Sequence, residues 1–289
     1  APIDLHLPDD SSGLAQAIYD QVMRPARVDF AQSITRHNDL AELAAAVEKD
    51  SLSIGITSYA EQQNTAILTL SGSCGFSLDV SRLSIKTEDY PLTAPMFLYF
   101  PARRLPQIAR EFLSFTRSPN AQLVIRRAGF VDQTAEEIPV EEQGNRFANA
   151  ITVAGPEISL DELQKMTATL TPMARLTTSF RFEAGSVRLD AQSRSNVQQL
   201  ARALEIGQYD TRRLLFVGFS DGKGAAFANR EIALRRAEAV RQAVITAAIT
   251  VNLDRVVLDI DAFGEAMPMA CDDSAWGRQA NRRVEVWVR

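Results

Sequence analysis

One aspartate and one arginine in the C-terminal half have the spacing of a charged binding site. Asp221 lies in the run Gly218-Phe219-Ser220-Asp221-Gly222, where a strand pattern gives way to a helical one, and Arg236 follows fifteen residues later within that helix. Asn229 lies two helical turns before Arg236 and shares its face. Opposite charges held close together either neutralise each other as a structural ion pair or bind a zwitterion, the carboxylate taking an ammonium and the guanidinium a carboxylate. The residues alone leave both alternatives open.

The same loop also matches the G-x-S-x-G pattern of a serine nucleophile. That chemistry needs a histidine to accept the proton of the serine. The chain has only His6 and His37, and both precede the loop by a long stretch of sequence. We therefore expect Ser220 to cap or brace the loop, and we expect no catalytic residues and no enzymatic activity.

Composition limits the classes of partner. The 289 residues are 46% hydrophobic and 23% charged, typical of a folded chain with room for two domains. Residues 173–289 hold 17 basic and 14 acidic side chains, so the net charge of −5 comes from an acidic remainder. The sequence pI of ≈ 5.3 argues against nucleic acid as the main partner. No apolar stretch approaches the ~20 residues of a membrane-spanning helix.

Cysteine and histidine are scarce. Cys74 and Cys271 lie in different halves of the chain, without the spacing of a metal site, so we expect no metal and no cofactor. An even number of cysteines allows one disulfide in an oxidising compartment. The sequence leaves open whether the two cysteines are bonded.

Residues 173–289 predict a small α/β sandwich in which one mixed sheet packs on two helices. The predicted order is strand, helix, strand, helix, strand, strand. Asp190 is suited to cap the first helix. The predicted elements are strands at 176–182, 214–219, 255–263 and 282–288 and helices at 191–204 and 225–247.

Residues 1–150 predict a separate α/β domain, because helical patterns alternate with short apolar runs. The expected helices are 11–23, 40–47, 108–115 and 121–128, and the expected strands are 52–58, 66–70 and a buried strand at 96–100. Residues 131–158 are acidic and contain Gly155-Pro156, which is typical of a connection. We accordingly predict a linker with a short helix, around Leu160–Leu170, over residues 151–172.

The stretch from about Thr177 to Arg289 resembles the OmpA-like, peptidoglycan-associated domain. Several motifs of that family occur in register over about 110 residues. They are Phe180-Arg181-Phe182 with Gly185-Ser186, Gly218-Phe219-Ser220-Asp221-Gly222-Lys223-Gly224, Asn229 with Ile232-Ala233 and Arg236-Ala237, Ala262-Phe263-Gly264-Glu265 with Pro268, and Gly277-Arg278-Gln279-Ala280-Asn281-Arg282-Arg283-Val284-Glu285. Phe219 and Ser220 replace a histidine and a threonine of the family pattern.

This resemblance implies that Asp221 and Arg236 bind the diaminopimelate of a peptidoglycan stem peptide, a side chain that ends in a zwitterion. Asn229 and Ser220 would hold the loop or the ligand, and Asn281 and Arg282 would line the rim. The resemblance also implies a periplasmic location, associated with the cell wall and linked to the outer membrane of a Gram-negative envelope.

Segments of residues 5–130 resemble part of a phosphate-type periplasmic substrate-binding protein. The matching segments follow the order of that family: Asp10-Ser11-Ser12-Gly13, Ala46-Val47 before Ser53–Ile56, Lys86–Leu92, Phe112–Phe115 and Ala128–Val131. The opening part of the first lobe of that family has no counterpart, so the chain is expected to be either a fragment or a protein whose first lobe has become a spacer.

In that family a helix N-terminus holds the anion through backbone N–H groups and hydroxyls. The resemblance thus implies an anion site, for phosphate or a similar small anion, at Ser11, Ser12 and Gly13. Pro8 and Leu14 stand where the family has an arginine and a threonine. An ordinary capped helix is therefore the alternative. A periplasmic anion sensor or transport component, anchored by its C-terminal domain, is the alternative function.

Overall fold

The computed structural model describes residues 2–183 and 186–289, so Gly185 of the strand-end motif lies outside the described residues. The chain divides into two compact units. The first unit comprises Ala1–Thr69, Asp79–Ile85 and Leu92–Thr134, and the second comprises Leu70–Leu78, Lys86–Pro91 and Ala135–Arg289. Three segments of the domain predicted at residues 1–150 thus belong with the C-terminal unit: Leu70–Leu78, Lys86–Pro91 and residues 135–150.

The first unit contains a three-stranded parallel sheet in the order β2-β1-β3. Its strands are β1 (Asp4–Pro8), β2 (Ile34–His37) and β3 (Ser53–Gly55). Leu5 of β1 pairs with Ile34 on one side and Ile54 on the other. Parallel strands joined through helices make this unit α/β, as predicted, although β1 and β2 were not predicted.

The helices of the first unit follow the predicted pattern closely. They are α1 (Gly13–Ile18), continued by a π-helix at Tyr19–Met23, then α2 (Arg24–Ala26), α3 (Leu40–Lys49), α4 (Arg82–Lys86), α5 (Gln107–Phe115) and α6 (Pro119–Arg127). Asp39 caps α3 by accepting hydrogen bonds from the N–H groups of Ala41 and Glu42. Leu43 is completely buried and centres the small core of this unit.

The expected buried strand at residues 96–100 is wrong. The segment has no regular secondary structure. Its five apolar side chains are all exposed, from 43% for Phe97 to 92% for Tyr99. A short apolar run resembles a buried strand in any sequence, but among the described residues none of the three sheets includes this segment. Likewise, the strand expected at 66–70 is reduced to Leu70–Ser71.

The second unit is built on a five-stranded mixed sheet in the order β6-β7-β10-β8-β9, with a separate β4-β5 hairpin. The strands are β4 (Leu70–Ser71), β5 (Ser77–Leu78), β6 (Glu137–Ile138), β7 (Ala174–Arg181), β8 (Arg213–Phe219), β9 (Val257–Gly264) and β10 (Arg283–Val288). β8 and β9 are parallel, with Val217 opposite Asp261, whereas β10 runs antiparallel to both β7 and β8. The predicted mixed sheet is confirmed.

Helices cover both faces of this sheet. They are α7 (Gly144–Thr152), α8 (Leu160–Leu170), α9 (Ala191–Glu205), α10 (Ala226–Ala247) and α11 (Ala275–Asn281). On one face, Phe216 of β8 and Val286 of β10 pack with Val240 of α10 and Leu200 of α9. As predicted, Asp190 caps α9 by accepting the N–H of Ser193.

The interval 151–172 is not a linker. Leu163, Met166 and Leu170 of α8 are buried against the second face of the sheet, together with Val217 and Trp287. Alternation along a strand directs neighbouring side chains to opposite faces, so β8 supplies both cores. The acidic, proline-containing approach to α8 resembles a connection, yet the apolar stripe of the helix makes it part of the domain.

A buried group of charges lies on β7 and β10. Arg175 donates two hydrogen bonds to Asp89, with Nη1–Oδ2 2.5 Å and Nη2–Oδ1 3.1 Å. Glu285 accepts from Arg146 and from Nε of Arg283 at 2.7 Å. Burial raises the pKa of Glu285, but the three arginines outweigh burial and hold that pKa well below its ordinary value. The segment 86–91 thus joins the domain through ionic contacts that a one-dimensional pattern does not reveal.

Glu88, beside this group, is expected to make stability depend on pH. Burial, opposed by Arg181, raises the pKa of Glu88 from 4.5 to about 7. Between those pH values the folded protein holds the proton and the unfolded chain has released it. The free energy of unfolding should therefore fall by up to about 3 kcal/mol as pH rises through this window and level off above it.

Glu88→Gln should lack that fall, because glutamine carries no titratable proton. Urea unfolding of both proteins at several pH values from 5 to about 8 measures the difference. Parallel stability profiles of wild type and variant would show that Glu88 does not control this dependence.

Candidate functional site

The parallel β8–β9 pair brings two loops together at the carboxyl ends of the strands. The Asp221 loop (residues 220–225) follows β8, and the 265–274 loop follows β9. The N–H of Ser220 donates to the carbonyl of Gly264 at 2.9 Å, which continues the pairing past the strand ends. Clefts beyond the carboxyl ends of parallel strands are common ligand sites. Sequence spacing located the first loop, whereas the second is placed by strand register.

Asp221 is held in place by two hydrogen bonds. Its Oδ1 accepts the N–H of Lys223 at 3.2 Å, and its Oδ2 accepts Nη1 of Arg282 at 2.5 Å. The Asp221 side chain is 12% exposed and that of Arg282 23%. An ion pair therefore exists, as one sequence alternative proposed, but the partner of Asp221 is Arg282 and not Arg236.

Arg236 is buried about three turns into α10. Its guanidinium carbon lies 5.3 Å from the centroid of the Phe182 ring, and its Nε has no hydrogen-bond partner among the described residues. Burial and then Arg282 lower the pKa of Arg236, and Asp221 opposes them. A buried cation with an unsatisfied donor is costly, so the arrangement favours an anionic ligand group next to Arg236.

Acidic side chains surround the opposite side of the cleft. Nδ2 of Asn229 donates to Oε2 of Glu265 at 2.6 Å, and the N–H of Gly222 donates to Oδ2 of Asp272 at 2.6 Å. Burial raises the pKa of Glu265, and the charges of Glu157, Asp272 and Asp221 raise it further. Asn229 is thus a brace between α10 and the 265–274 loop. Glu265 and Asp272 were not predicted as site residues, although Glu265 stands in the motif that follows β9.

Taken together, the two sets of charges are complementary to a zwitterion. Arg236 and Arg282 offer cationic donors, while Asp221 and the neighbouring carboxylates offer acceptors. Ser220 is buried beside them, and its Oγ has no hydrogen-bond partner among the described residues. A buried hydroxyl without a partner is uncommon and calls for an explanation. Within the described residues no cluster of histidine, cysteine, aspartate and glutamate is suited to a metal ion.

Asn281 does not line the rim, and that part of the prediction is wrong. Its side chain is fully buried. Its Oδ1 accepts the N–H groups of Met269 and Ala270, and its Nδ2 donates to the carbonyl of Ala270 at 2.8 Å. Asn281 therefore shapes the 265–274 loop from inside, because an asparagine satisfies both donors and acceptors of a buried turn.

The predicted anion site in the first unit is occupied by the chain's own groups. Asp9 Oδ1 accepts both the N–H and the hydroxyl of Ser11, and Ser12 Oγ caps α1 by accepting the N–H of Ala15. Gly13 begins α1, a helix of six residues. These contacts match the alternative of a capped helix, since a carboxylate already sits where an anion would bind.

Part of the second unit matches a known protein family. Residues 181–282, which include Asp221, Arg236 and Arg282, match the OmpA family. The chain therefore contains an OmpA-like domain, as the motifs predicted. Over 105 residues, 36% of this chain, it is 27% identical to the probable lipoprotein YiaD of Escherichia coli K12, and the match spans 45% of that lipoprotein. The resemblance of the first unit to a phosphate-binding protein stays a prediction.

Solved structures similar to this chain include three from bacterial envelopes. The peptidoglycan-associated lipoprotein of Burkholderia pseudomallei has 25% identity and a TM-score of 0.34, covering 39% of this chain and 90% of its own. The periplasmic domain of Helicobacter pylori MotB gives 22% and 0.33, covering 40% and 73%. The cell wall anchor of the T6SS from Pseudomonas aeruginosa gives 23% and 0.30, covering 40% and 80%.

We expect the first unit not to bind phosphate, because Asp9 already binds Ser11 at the predicted anion site. Because the Asp9 carboxylate repels anions and already binds Ser11, titration of inorganic phosphate into the protein should give no saturable heat. Asp9→Asn removes the charge and serves as the matched comparison. Saturable phosphate binding by the wild type that is lost in Ser11→Ala would restore the anion site.

Proposed function

We propose that this chain binds peptidoglycan non-covalently in a bacterial envelope and that its OmpA-like domain carries the site. The observation that supports this most is Arg236, a buried arginine whose Nε is unpaired and which lies within electrostatic range of Asp221 and Arg282. The family match over residues 181–282 points to the same region. The free end of diaminopimelate in the stem peptide is a zwitterion, and its two charges match those of Asp221 and Arg236.

In this proposal each charge of the ligand has a partner. The diaminopimelate carboxylate accepts hydrogen bonds from Arg236, which relieves the cost of its burial. The ammonium lies against Asp221, in the negative field to which Glu265 and Asp272 contribute. Arg282 orients the Asp221 carboxylate, since the two side chains form an ion pair at 2.5 Å. Ser220 Oγ is available for a further polar contact.

The chemistry of the cleft suits binding rather than catalysis. Ser220 is buried, and the sequence has no histidine after His37 to activate it. We therefore propose a binding protein, inert toward serine-directed probes. The proposal also includes an envelope location, in the periplasm and associated with the cell wall and outer membrane. The Cys74–Cys271 disulfide supports it, because such bonds persist in oxidising compartments.

No helix among the described residues combines the length and apolar character that crossing a membrane requires.

Removal of either central charge should strongly weaken capture by the cell wall. We expect Asp221→Ala and Arg236→Ala each to weaken binding to purified sacculi by at least about tenfold, the loss expected for a charged hydrogen bond. Co-sedimentation over a range of sacculus concentrations measures the change. Raised ionic strength should also weaken wild-type binding, because the site is open to solvent at its edge.

Arg213→Ala and Asp259→Ala are matched controls for charge. These residues form an exposed ion pair, with Arg213 Nε 2.7 Å from Asp259 Oδ2, and Arg213 lies at the end of β8 opposite Asp221. Both controls should sediment like the wild type. Binding by Asp221→Ala and Arg236→Ala at wild-type strength, with the fold intact by circular dichroism, would contradict the proposed site.

A further inference from the structure

The 265–274 loop is fastened to a hairpin from a distant part of the sequence. Cys271 forms a disulfide with Cys74, 197 residues earlier, which lies between β4 and β5. The N–H of Cys74 also points at Sγ of Cys271, at 3.1 Å, and Ser73 donates its hydroxyl to Asp273. All these residues belong to the second unit. The hairpin therefore acts as a covalent support for this loop.

The residue next to the disulfide reaches the Asp221 loop directly. Oδ2 of Asp272 accepts the N–H of Gly222 at 2.6 Å, and Oδ1 accepts Nδ2 of Asn281 at 2.8 Å. The carbonyl of Asp272 accepts Nη1 of Arg278 at 2.5 Å. Because Gly222 adjoins Asp221 in the sequence, Asp272 fixes the backbone from which the Asp221 carboxylate projects.

Close approach along this connection leaves no space for side chains at two glycines. A Cβ at position 222 would lie 2.8 Å from Oδ2 of Asp272, and a Cβ at position 72 would lie 2.3 Å from Sγ of Cys271. The second distance is far inside van der Waals contact. Gly72 therefore lies tightly against the disulfide, and Gly222 lies tightly against the Asp272 carboxylate.

The disulfide opposes the electrostatic repulsion between the carboxylates of the two loops. Asp272 lies in the same acidic group as Asp221, Glu265 and Glu157, and their charges raise the pKa of Glu265 on top of its burial. Like charges brought together push the two loops apart unless other contacts hold them. The disulfide restricts that motion by limiting the positions open to residue 271 and its neighbours.

We infer that Asp272 is a positioning residue for Asp221 and that the Cys74–Cys271 disulfide locks it in place, so that affinity for the stem peptide depends on the redox state of the protein. This inference rests on the proposed function. Oxidised protein presents Asp221 in its binding position. In reduced protein the 265–274 loop moves away from Gly222, and the Asp221 carboxylate loses its fixed direction.

The test measures affinity of the full chain for a soluble stem peptide ending in diaminopimelate, by calorimetry. Asp272→Ala should weaken binding by about tenfold, as expected for loss of a charged hydrogen bond that orders the site. A phosphine reductant should weaken the wild type by several-fold, and it should leave the Cys74→Ser/Cys271→Ser variant, already weak, unchanged. Asp259→Ala, which removes an exposed carboxylate paired with Arg213 and leaves every contact of the 265–274 loop in place, should stay within about twofold of the wild type.

A second readout separates positioning from general stability. In proton–nitrogen NMR spectra the Gly222 amide should shift in Asp272→Ala and in reduced wild type, while amides of β7 and β10 keep their positions. Wild-type affinity in both Asp272→Ala and the reduced protein would overturn the inference and leave the proposed function standing. If the wild type itself does not bind the stem peptide, or Asp221→Ala binds equally well, the proposed function fails and the inference fails with it.

Discussion

A buried guanidinium without a hydrogen-bonded carboxylate is the constraint on which the second unit's site depends. Arg236 projects from the middle of α10, packs over the Phe182 ring and keeps Nε unpaired. Burying such a charge costs free energy that the fold must offset elsewhere. In the adjoining charge group of β7 and β10, by contrast, each arginine has a carboxylate or carbonyl acceptor. Nε of Arg175 also has no hydrogen-bond partner among the described residues, but the Nη atoms of Arg175 bind Asp89. The proposed binding role would explain why Arg236 has no such acceptor.

The rest of the domain determines where Arg236 lies relative to Asp221. The parallel β8–β9 pair sets the Asp221 loop beside the 265–274 loop, and α10 returns over them with Asn229 and Arg236 on one face. Asn281 shapes the second loop from the interior. The contacts that stabilise the two loops therefore also position Asp221.

Periodic elements could be predicted from the sequence because each depends on its own residues. The alternation of β10, the cap at Asp190 and the apolar stripe of α9 all appear where the pattern indicated. The exposed run at 96–100 shows the limit, since apolar character alone does not provide a strand partner. The same limit explains the 151–172 interval, where a polar approach concealed a core helix.

Site residues divide in a similar way. Asp221 and Arg236 could be selected because their types and spacing are local to one loop and one helix. The partner of Asp221 could not, because Arg282 comes from a position 61 residues later that only the antiparallel pairing of β10 with β8 brings close. Asp272 and the Cys74 hairpin also depend on three-dimensional placement.

The most direct measurement follows the Arg236 Nε–H signal by nitrogen-15 NMR while diaminopimelic acid is added, with the signal assigned through Arg236→Lys. The account predicts that this signal moves strongly as the ligand carboxylate takes the vacant hydrogen bond, and that it reports the same affinity as calorimetry. Ligand that binds while the Arg236 signal stays in place would contradict the central claim.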